Sequence, residues 1–169
     1  MTTLDWDHPN PHICSVTVTP ADIDALSHTN NGVYVNWCEQ AAWSHTRALG
    51  LGEDQYRSLN RAMALTQAEY QYLRATHEND ALQVGTWITR WDRRLTMERQ
   101  FQIIDNKTGE TVLRAKHQFV CIEAGKPSAV SNFCFVNQDW KTLVQLELKE
   151  LLIDVLCSLC LQRRHVGNK

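Results

Sequence analysis

A long helical pattern that is apolar around most of its circumference constrains the fold of this chain more than any other feature. The pattern runs from about residue 30 to residue 49, and it is closed by Gly50 and Gly52, where left-handed backbone costs least. Two stripes of apolar or small residues follow it at helical spacing: Val33, Trp37, Ala41 and Ala48, and Tyr34, Cys38, Ala42 and Leu49. Such a helix must be covered on several sides, so we predict that the rest of the chain wraps around it.

Strand-like runs supply this cover. One run of β-branched and small polar residues, 13–19, precedes the helix. After a short helical segment near residues 53–59 come four more runs, at residues 62–74, 81–91, 96–104 and 112–122. The connections at residues 76–80 and 105–110 carry turn residues and suit antiparallel hairpins. The order of elements predicts an α+β fold, with an antiparallel sheet wrapped around a long central helix.

Composition and charge bound the class of protein. With 169 residues and 43% apolar side chains, the chain is long enough for one core. A net charge of −2 without a large basic block argues against binding to nucleic acid or to an anionic membrane. There is no secretory signal at the N-terminus and no apolar run that could span a bilayer, so we expect a cytoplasmic protein.

The six cysteines are scattered through apolar pattern, which is typical of buried reduced thiols. Only Cys157 and Cys160 have a metal or redox spacing, and neither a second pair nor a suitably spaced histidine accompanies them. We therefore expect no metal site and no cofactor.

The residues that lead into the helix carry chemical groups at high density. Residues 22–39 read DIDALSHTNNGVYVNWCE, and Asp24 stands just before the predicted helix start. Backbone N–H groups at a helix start lack intrahelical partners and carry partial positive charge. A carboxylate beside them can act on a carbonyl carbon while the N–H groups hold the developing oxyanion, which is the combination that acyl transfer needs.

This run, Asp-x-Asp-x-x-x-His-x-Asn-Asn-x-x-Tyr-x-x-x-x-Glu between a first strand and a buried helix, resembles the hotdog-fold acyl-CoA thioesterases of the 4-hydroxybenzoyl-CoA thioesterase type. The resemblance covers the order of elements over residues 12–127, including the turn Gly125-Lys126-Pro127. It implies a hotdog domain over residues 1–127 that hydrolyses an acyl-CoA to a free acid and CoA. It also implies a homodimer or a dimer of dimers with active sites at the subunit boundary, an assembly that would cover the exposed sheet edge.

The resemblance also assigns roles to residues of the loop. Asp24 aligns with the general base or nucleophile, and the backbone N–H of Asn31, or of Gly32, is the candidate for polarising the thioester carbonyl. The alternative for Asp24 is a loop carboxylate that only accepts backbone hydrogen bonds. His28 either orients Asp24 or a water, or fixes the loop by hydrogen bonds; both interpretations remain open. Asp22 is expected to shape the loop.

Residues around this motif are candidates for the substrate pocket. Asn30 suits a helix cap, while Tyr34 and Trp37 are expected to line either the core or the acyl pocket. Glu39 is a rival base, because another branch of the fold places a catalytic glutamate on the central helix, but we expect it to pair with loop groups. Ser27 stands where relatives commonly carry glycine, so left-handed backbone there would cost about 1 kcal/mol.

Cations near strand ends are candidates for gripping the phosphates of CoA. They are Arg90, Arg93, Arg94 and Lys126. A solvated strand face with acidic neighbours is the competing interpretation of the same charges.

Residues 128–169 form a C-terminal extension to the predicted domain. Residues 140–164 have the leucine pattern of an amphipathic helix, which we expect to pack on its own domain or on a partner subunit. This extension and Ser27 keep a second function open, a non-catalytic acyl-CoA binding or sensing module. Hydration or dehydration of acyl thioesters, also found on this fold, usually shows a different arrangement of His and Glu on the helix.

Overall fold

The computed structural model describes residues 4–92 and 95–124. Their elements are β1 (His12–Thr17), α1 (Asn31–Ala48), α2 (Glu53–Leu59), β2 (Arg61–Tyr72), β3 (Ala81–Trp91), β4 (Thr96–Asp105) and β5 (Thr111–Glu123). Each begins and ends close to its predicted boundaries. Gly50 adopts the expected left-handed backbone after α1, with φ of 79°. The predicted C-terminal helix lies outside the described residues.

The strands form one sheet in the order β1-β3-β4-β5-β2, and every neighbouring pair is antiparallel. Helix α1 contacts β1 and β3. The core between helix and sheet contains these buried side chains: Tyr34, Trp37, Cys38 and Ala41 from α1, and Leu82, Val84, Phe101, Ile103 and Leu113 from the sheet. The prediction of an antiparallel sheet on a long helix is thus confirmed.

The edge strand β2 carries an irregularity that affects which side chains face α1. Its register against β5 shifts between Leu65 and Gln67. Side chains alternate along a strand, so one extra residue moves the later ones to the opposite face. As a result Leu65 and Tyr70, an odd number of positions apart, line the same cavity beside α1.

The N-terminal segment crosses the other face of the sheet. The Asp7 N–H donates to Oε1 of Gln102 at 2.8 Å, and Arg114 donates to both carboxylate oxygens of Asp7 at 2.6 and 2.8 Å. These hydrogen bonds from Arg114 hold the pKa of the Asp7 carboxyl below its usual value. Gly85 leaves room for the segment, because a Cβ there would lie 2.5 Å from the ring of Trp6. Part of the outer sheet face is therefore already covered by the chain itself.

Within the described ranges 4–92 and 95–124, neither helix combines the length and the apolar character needed to cross a membrane.

Candidate active site

The loop between β1 and α1 closes around Asp24. The Asp24 N–H donates to the carbonyl of His28 at 2.8 Å, and the Asp24 carbonyl accepts from Ser27 N–H at 3.0 Å. One carboxylate oxygen, Oδ1, accepts hydrogen bonds from the N–H groups of Leu26 at 2.8 Å and His28 at 3.3 Å. The other oxygen, Oδ2, accepts none from the described residues. The loop thus fixes a half-buried carboxylate by one oxygen and leaves the second one available to a substrate or a water.

Ser27 adopts the left-handed conformation expected of a glycine position, with φ of 63°. This conformation lets the backbone reverse direction between Asp24 and His28. The serine side chain is exposed, so no packing conflict adds to the backbone cost. Ser27 therefore tolerates the left-handed conformation at this turn.

Asp22 holds the start of the same loop. Its Oδ2 accepts hydrogen bonds from the N–H and the hydroxyl of Thr19, at 2.8 and 2.7 Å. Its carbonyl accepts from Asn30 N–H at 2.8 Å, which joins the two ends of the loop. Asp22 therefore shapes the loop, as expected from the sequence.

The two candidate oxyanion donors in the first turn of α1, the N–H groups of Asn31 and Gly32, differ in their hydrogen bonding. Asn30 is the N-cap, and its Oδ1 accepts a hydrogen bond from Gly32 N–H at 2.8 Å. Asn31 is the first helical residue and is exposed, and its N–H meets no acceptor among the described residues. Because the cap already engages Gly32, Asn31 is the N–H that remains able to bind a carbonyl oxygen.

A buried hydroxyl cluster, Thr29, Tyr34 and Thr76, ties this loop to the rest of the domain. Oγ1 of Thr76 lies 2.7 Å from Oγ1 of Thr29 and 2.8 Å from the hydroxyl of Tyr34. The Thr29 N–H also donates to the Thr76 carbonyl at 2.9 Å. Thr76 is 1% exposed. The turn residues at 76–80 predict only a hairpin, so nothing in the sequence distinguishes Thr76 from an ordinary turn residue.

His28 sits beside this cluster with its ring in solvent. Its backbone, not its imidazole, bonds to Asp24. The ring instead meets the ring of His77 edge to face, with centroids 5.2 Å apart. The backbone of His28 thus helps to close the loop, while its imidazole is exposed and accessible to a ligand.

Tyr34 and Trp37 lie in the core, 3% and 7% exposed. Tyr72 also lies near the helix start, because its hydroxyl donates to the carbonyl of Asn31 at 3.3 Å. Tyr72 and Tyr70 stack with ring centroids 6.2 Å apart. Tyr70 and Tyr72 lie two residues apart on β2 and therefore share one face of the strand.

A cavity of about 560 Å³ opens between α1, α2 and the strands β2, β4 and β5. Its lining includes Glu39, Trp43, Tyr70, Arg99 and His117. Glu39 makes no hydrogen bond or ion pair with the described residues, so the expectation that it pairs with loop groups was wrong. The helix places it about two turns from the loop and turns it toward α2 and β2 instead.

The sheet side of this cavity is positively charged. Arg99 is 2% exposed and donates to Nδ1 of His45 at 2.9 Å and to Oγ1 of Thr86 at 3.2 Å. His117 faces Arg99 in the β4–β5 register, and its Nε2 lies 2.7 Å from the hydroxyl of Tyr70. Burial, and then the charge of Arg99, lower the pKa of His117 to about 4. Burial raises the pKa of Tyr70 to about 12, so both stay neutral at pH 7 beside a permanent cation.

The cysteine near these groups is not a nucleophile. Cys38 is fully buried, and this burial raises its pKa to about 12. The thiolate that nucleophilic chemistry needs is therefore not formed at neutral pH. Among the residues that the structure describes, no three His, Cys, Asp or Glu side chains are placed to bind a metal ion together.

The chain matches a known protein family over most of its length. The model of the thioesterase-like superfamily matches residues 18–138, well over half of the chain. The chain belongs to the thioesterase-like superfamily. The resemblance to thioesterases is thus confirmed, and this membership places the protein among the thioester hydrolases. No curated protein matches this superfamily member significantly in sequence.

Solved structures share the fold of this superfamily member. A 1,4-dihydroxy-2-naphthoyl-CoA thioesterase from Synechocystis aligns with a TM-score of 0.66 at 20% identity, over 80% of this chain and 96% of its own. A DHNA-CoA thioesterase from Staphylococcus aureus gives 0.68 at 19%, over 84% and 93%. A second protein from Staphylococcus aureus, solved in complex with CoA, gives 0.72 at 14%, over 83% and 85%. The hotdog prediction is confirmed for the described residues.

The structure brings Asp24, His28 and the first turn of α1 together, as the motif predicts. Arg90 is exposed on β3. Arg93, Arg94 and Lys126 lie outside the described residues, so their role as CoA contacts stays a prediction.

We predict that His117 makes the folded protein less stable in mild acid. The unfolded chain takes up a proton near pH 6.5, whereas folded His117 stays neutral down to about pH 4. The free energy of unfolding should therefore fall between pH 6.5 and pH 4, by about 2 kcal/mol from this residue. Urea denaturation of wild type and His117→Gln at pH 7.5 and pH 4.5 measures the effect.

In His117→Gln the loss of stability on acidification should be smaller. The matched control is His28→Gln, the same substitution at an exposed histidine. Equal pH dependence in wild type and His117→Gln would contradict the proposed neutrality of His117.

Proposed function

We propose that the protein hydrolyses acyl-CoA thioesters to a free acid and CoA, with Asp24 as general base or nucleophile and Asn31 N–H as oxyanion donor. The observation that carries this proposal is the pairing of an available carboxylate oxygen with an N–H that has no acceptor in the described chain, on the loop that enters α1. The Asn31 N–H lies at the positive end of an 18-residue helix, where developing negative charge is stabilised, and Asp24 lies on the loop that leads into it.

Either role of Asp24 gives a balanced reaction. As a base, Asp24 takes a proton from water, the resulting hydroxide adds to the thioester carbon, and the C–S bond then breaks to release CoA, which takes up the proton. As a nucleophile, Oδ2 adds to the same carbon and expels CoA thiolate, and water then cleaves the mixed anhydride. In both cases the carbonyl oxygen becomes anionic and is held by Asn31 N–H.

Three proteins that share the fold support CoA as the thiol component of the thioester substrate. One is a 1,4-dihydroxy-2-naphthoyl-CoA thioesterase, another is a DHNA-CoA thioesterase, and a third was solved in complex with CoA. We propose that His28 contacts the substrate from the loop and that Asn30 positions the first turn of α1 through its cap. Arg93, Arg94 and Lys126 remain the proposed contacts of the CoA phosphates. Tyr34 and Trp37 then support the pocket from behind.

We also propose that two copies of the chain pair through β2. This strand is 12 residues long and forms an end of the sheet, so one of its edges has no partner strand among the described residues. Leu65 on β2 is 51% exposed, Tyr72 44% and the adjacent Leu73 51%. Long apolar edges are prone to add another strand, and a second copy offers the same edge.

Replacing Asp24 by Asn should abolish turnover. The amide keeps the loop hydrogen bonds of Oδ1 but neither takes a proton nor attacks, so kcat should fall about 10²–10⁴-fold. Thiol release from aromatic and aliphatic acyl-CoAs, corrected for the protein's own cysteines, measures this. Asp54→Asn, an exposed carboxylate on α2, is the control and should stay fully active.

Two other outcomes of that assay are informative. A fully active Asp24→Asn would remove Asp24 from the mechanism. No turnover by wild type on any acyl-CoA, together with tight binding, would favour the acyl-CoA binding or sensing module instead.

The oxyanion role of Asn31 can be tested by removing one hydrogen-bond donor, the backbone N–H of Asn31. Proline is tolerated at the first helical position, and Asn30 has ψ of 136°, which suits a residue before proline. Asn31→Pro should therefore keep the fold but lower kcat about 10²–10³-fold. Asn31→Ala, which retains the N–H, is the matched control.

If both Asn31 variants have equal kcat, the oxyanion is held elsewhere. Thermal unfolding of both variants checks that the helix start is preserved.

Pairing through β2 predicts a specific sensitivity to charge. Leu65→Lys should shift the protein from two chains toward one, because the ammonium group would be buried at the interface. Ile13→Lys, on the opposite edge strand β1 and 46% exposed, should leave the mass unchanged. Light scattering after gel filtration gives the masses, and dissociation by Ile13→Lys alone would place the interface at β1.

A further inference from the structure

The cavity beside α1 has a polar cluster on its sheet side, at residues Tyr70, Arg99 and His117. The guanidinium of Arg99 is held by His45 and Thr86 and also reaches Oγ1 of Thr46 at 3.4 Å. His117 and Tyr70 bond to each other at 2.7 Å beside it. The loop motif and the proposed hydrolysis make no use of these three side chains.

The walls around this cluster are mainly apolar. They include Trp43, Met63, Met97 and Phe119. Exposed charges of both signs, among them Glu39 and Arg57, lie on the parts of the lining that reach solvent. Three arginines line the cavity, Arg57, Arg61 and Arg99, and of these Arg99 is the fully buried one, set against the apolar wall.

A row of rings connects the helix start to this cluster. Tyr72 donates to the carbonyl of Asn31, Tyr72 stacks on Tyr70, and Tyr70 bonds to His117. Tyr70 and Tyr72 are two residues apart on one strand and therefore face the same side. An acyl group that extends along these rings from a thioester held at Asn31 would reach the cavity at Tyr70, which is part of its lining.

We infer that this cavity is the acyl pocket and that Arg99, Tyr70 and His117 select acyl groups with an apolar body and a hydrogen-bond-accepting oxygen, above all a carboxylate, at the far end. The inference rests on the proposed function for the entry point of the acyl group at Asn31. A volume of about 560 Å³ is within the usual range for small-ligand pockets. A guanidinium and a carboxylate form strong charge-assisted hydrogen bonds, which burial strengthens further.

Neutral His117 and Tyr70 fit the same ligand. A protonated His117 would repel the guanidinium of Arg99. The neutral pair of His117 and Tyr70 adds hydrogen-bonding capacity without extra charge. A methyl-ended chain of equal length gains none of these bonds, and sites built around hydrogen bonds discriminate strongly against ligands that lack them.

The first experiment measures binding without turnover. Calorimetry on the full chain compares pairs of free acids of equal length, one ending in a methyl group and the other in a second carboxylate. We expect the dicarboxylate to bind at least about tenfold more tightly, equivalent to about 1.4 kcal/mol. Arg99→Lys and Tyr70→Phe should each reduce this ratio, while Asp54→Asn, at an exposed position of α2 outside the cavity lining, should leave it unchanged.

Tyr70→Phe removes only a hydroxyl group, so it tests the inference even if Arg99→Lys does not fold. Equal or tighter binding of the methyl-ended acid overturns the inference. A ratio that persists in a folded Tyr70→Phe and a folded Arg99→Lys does so as well. Failure of both acids to bind would mean that another part of the protein or a partner fills the cavity, and it also overturns the inference.

The second experiment separates this inference from the proposed function. The ratio of kcat/KM for carboxylate-ended against methyl-ended acyl-CoAs should exceed about ten in wild type and fall in Tyr70→Phe. Asp24→Asn should abolish turnover of both esters but leave the ratio of acid affinities as in wild type. An active Asp24→Asn with an intact affinity ratio would refute the mechanism alone, and a lost ratio with normal Asp24 dependence would refute the pocket alone.

Discussion

The burial of α1 against the sheet is the constraint on which the rest of the structure depends. Tyr34, Trp37, Cys38 and Ala41 each lose nearly all contact with solvent, and the sheet supplies their partners. Burying side chains of this size contributes about 1.5–3 kcal/mol for each large one. Because the helix is anchored along its length, its first turn has a fixed position, and the loop before it closes on a rigid support.

The loop depends on that anchor through a small number of buried hydroxyl groups. Thr76 joins Thr29, in the loop, to Tyr34, in the helix, so the loop cannot move without breaking buried hydrogen bonds. Losing such a bond without replacement costs about 1–3 kcal/mol. This support holds Asp24 with one oxygen bound and one available, which is the rigidity that the proposed role of Asp24 requires.

Charge is distributed in two separate places. The negative group, Asp24, lies on the loop at the positive end of α1, whereas the buried positive group, Arg99, lies in the sheet near the other end of the same helix. At the first place the helix start carries partial positive charge. At the second, burial and then the charge of Arg99 lower the pKa of His117. The two charged groups thus lie on different elements that meet across one helix.

The sequence by itself determined the elements, their order and the reactive loop, because these depend on local patterns. Helical spacing of apolar residues, alternation along strands and the motif from Asp22 to Glu39 are all readable without contacts. The left-handed backbone at Ser27 was also readable from the motif. Only the tertiary structure decided that Gly32 N–H is used by the cap while Asn31 N–H is not, that Thr76 holds the loop, and that Glu39 faces a cavity. It also brought Arg99, Tyr70 and His117 together from three strands. Hydrogen-bond partners and the facing of a bulged strand depend on residues distant in sequence, so no local pattern could specify them.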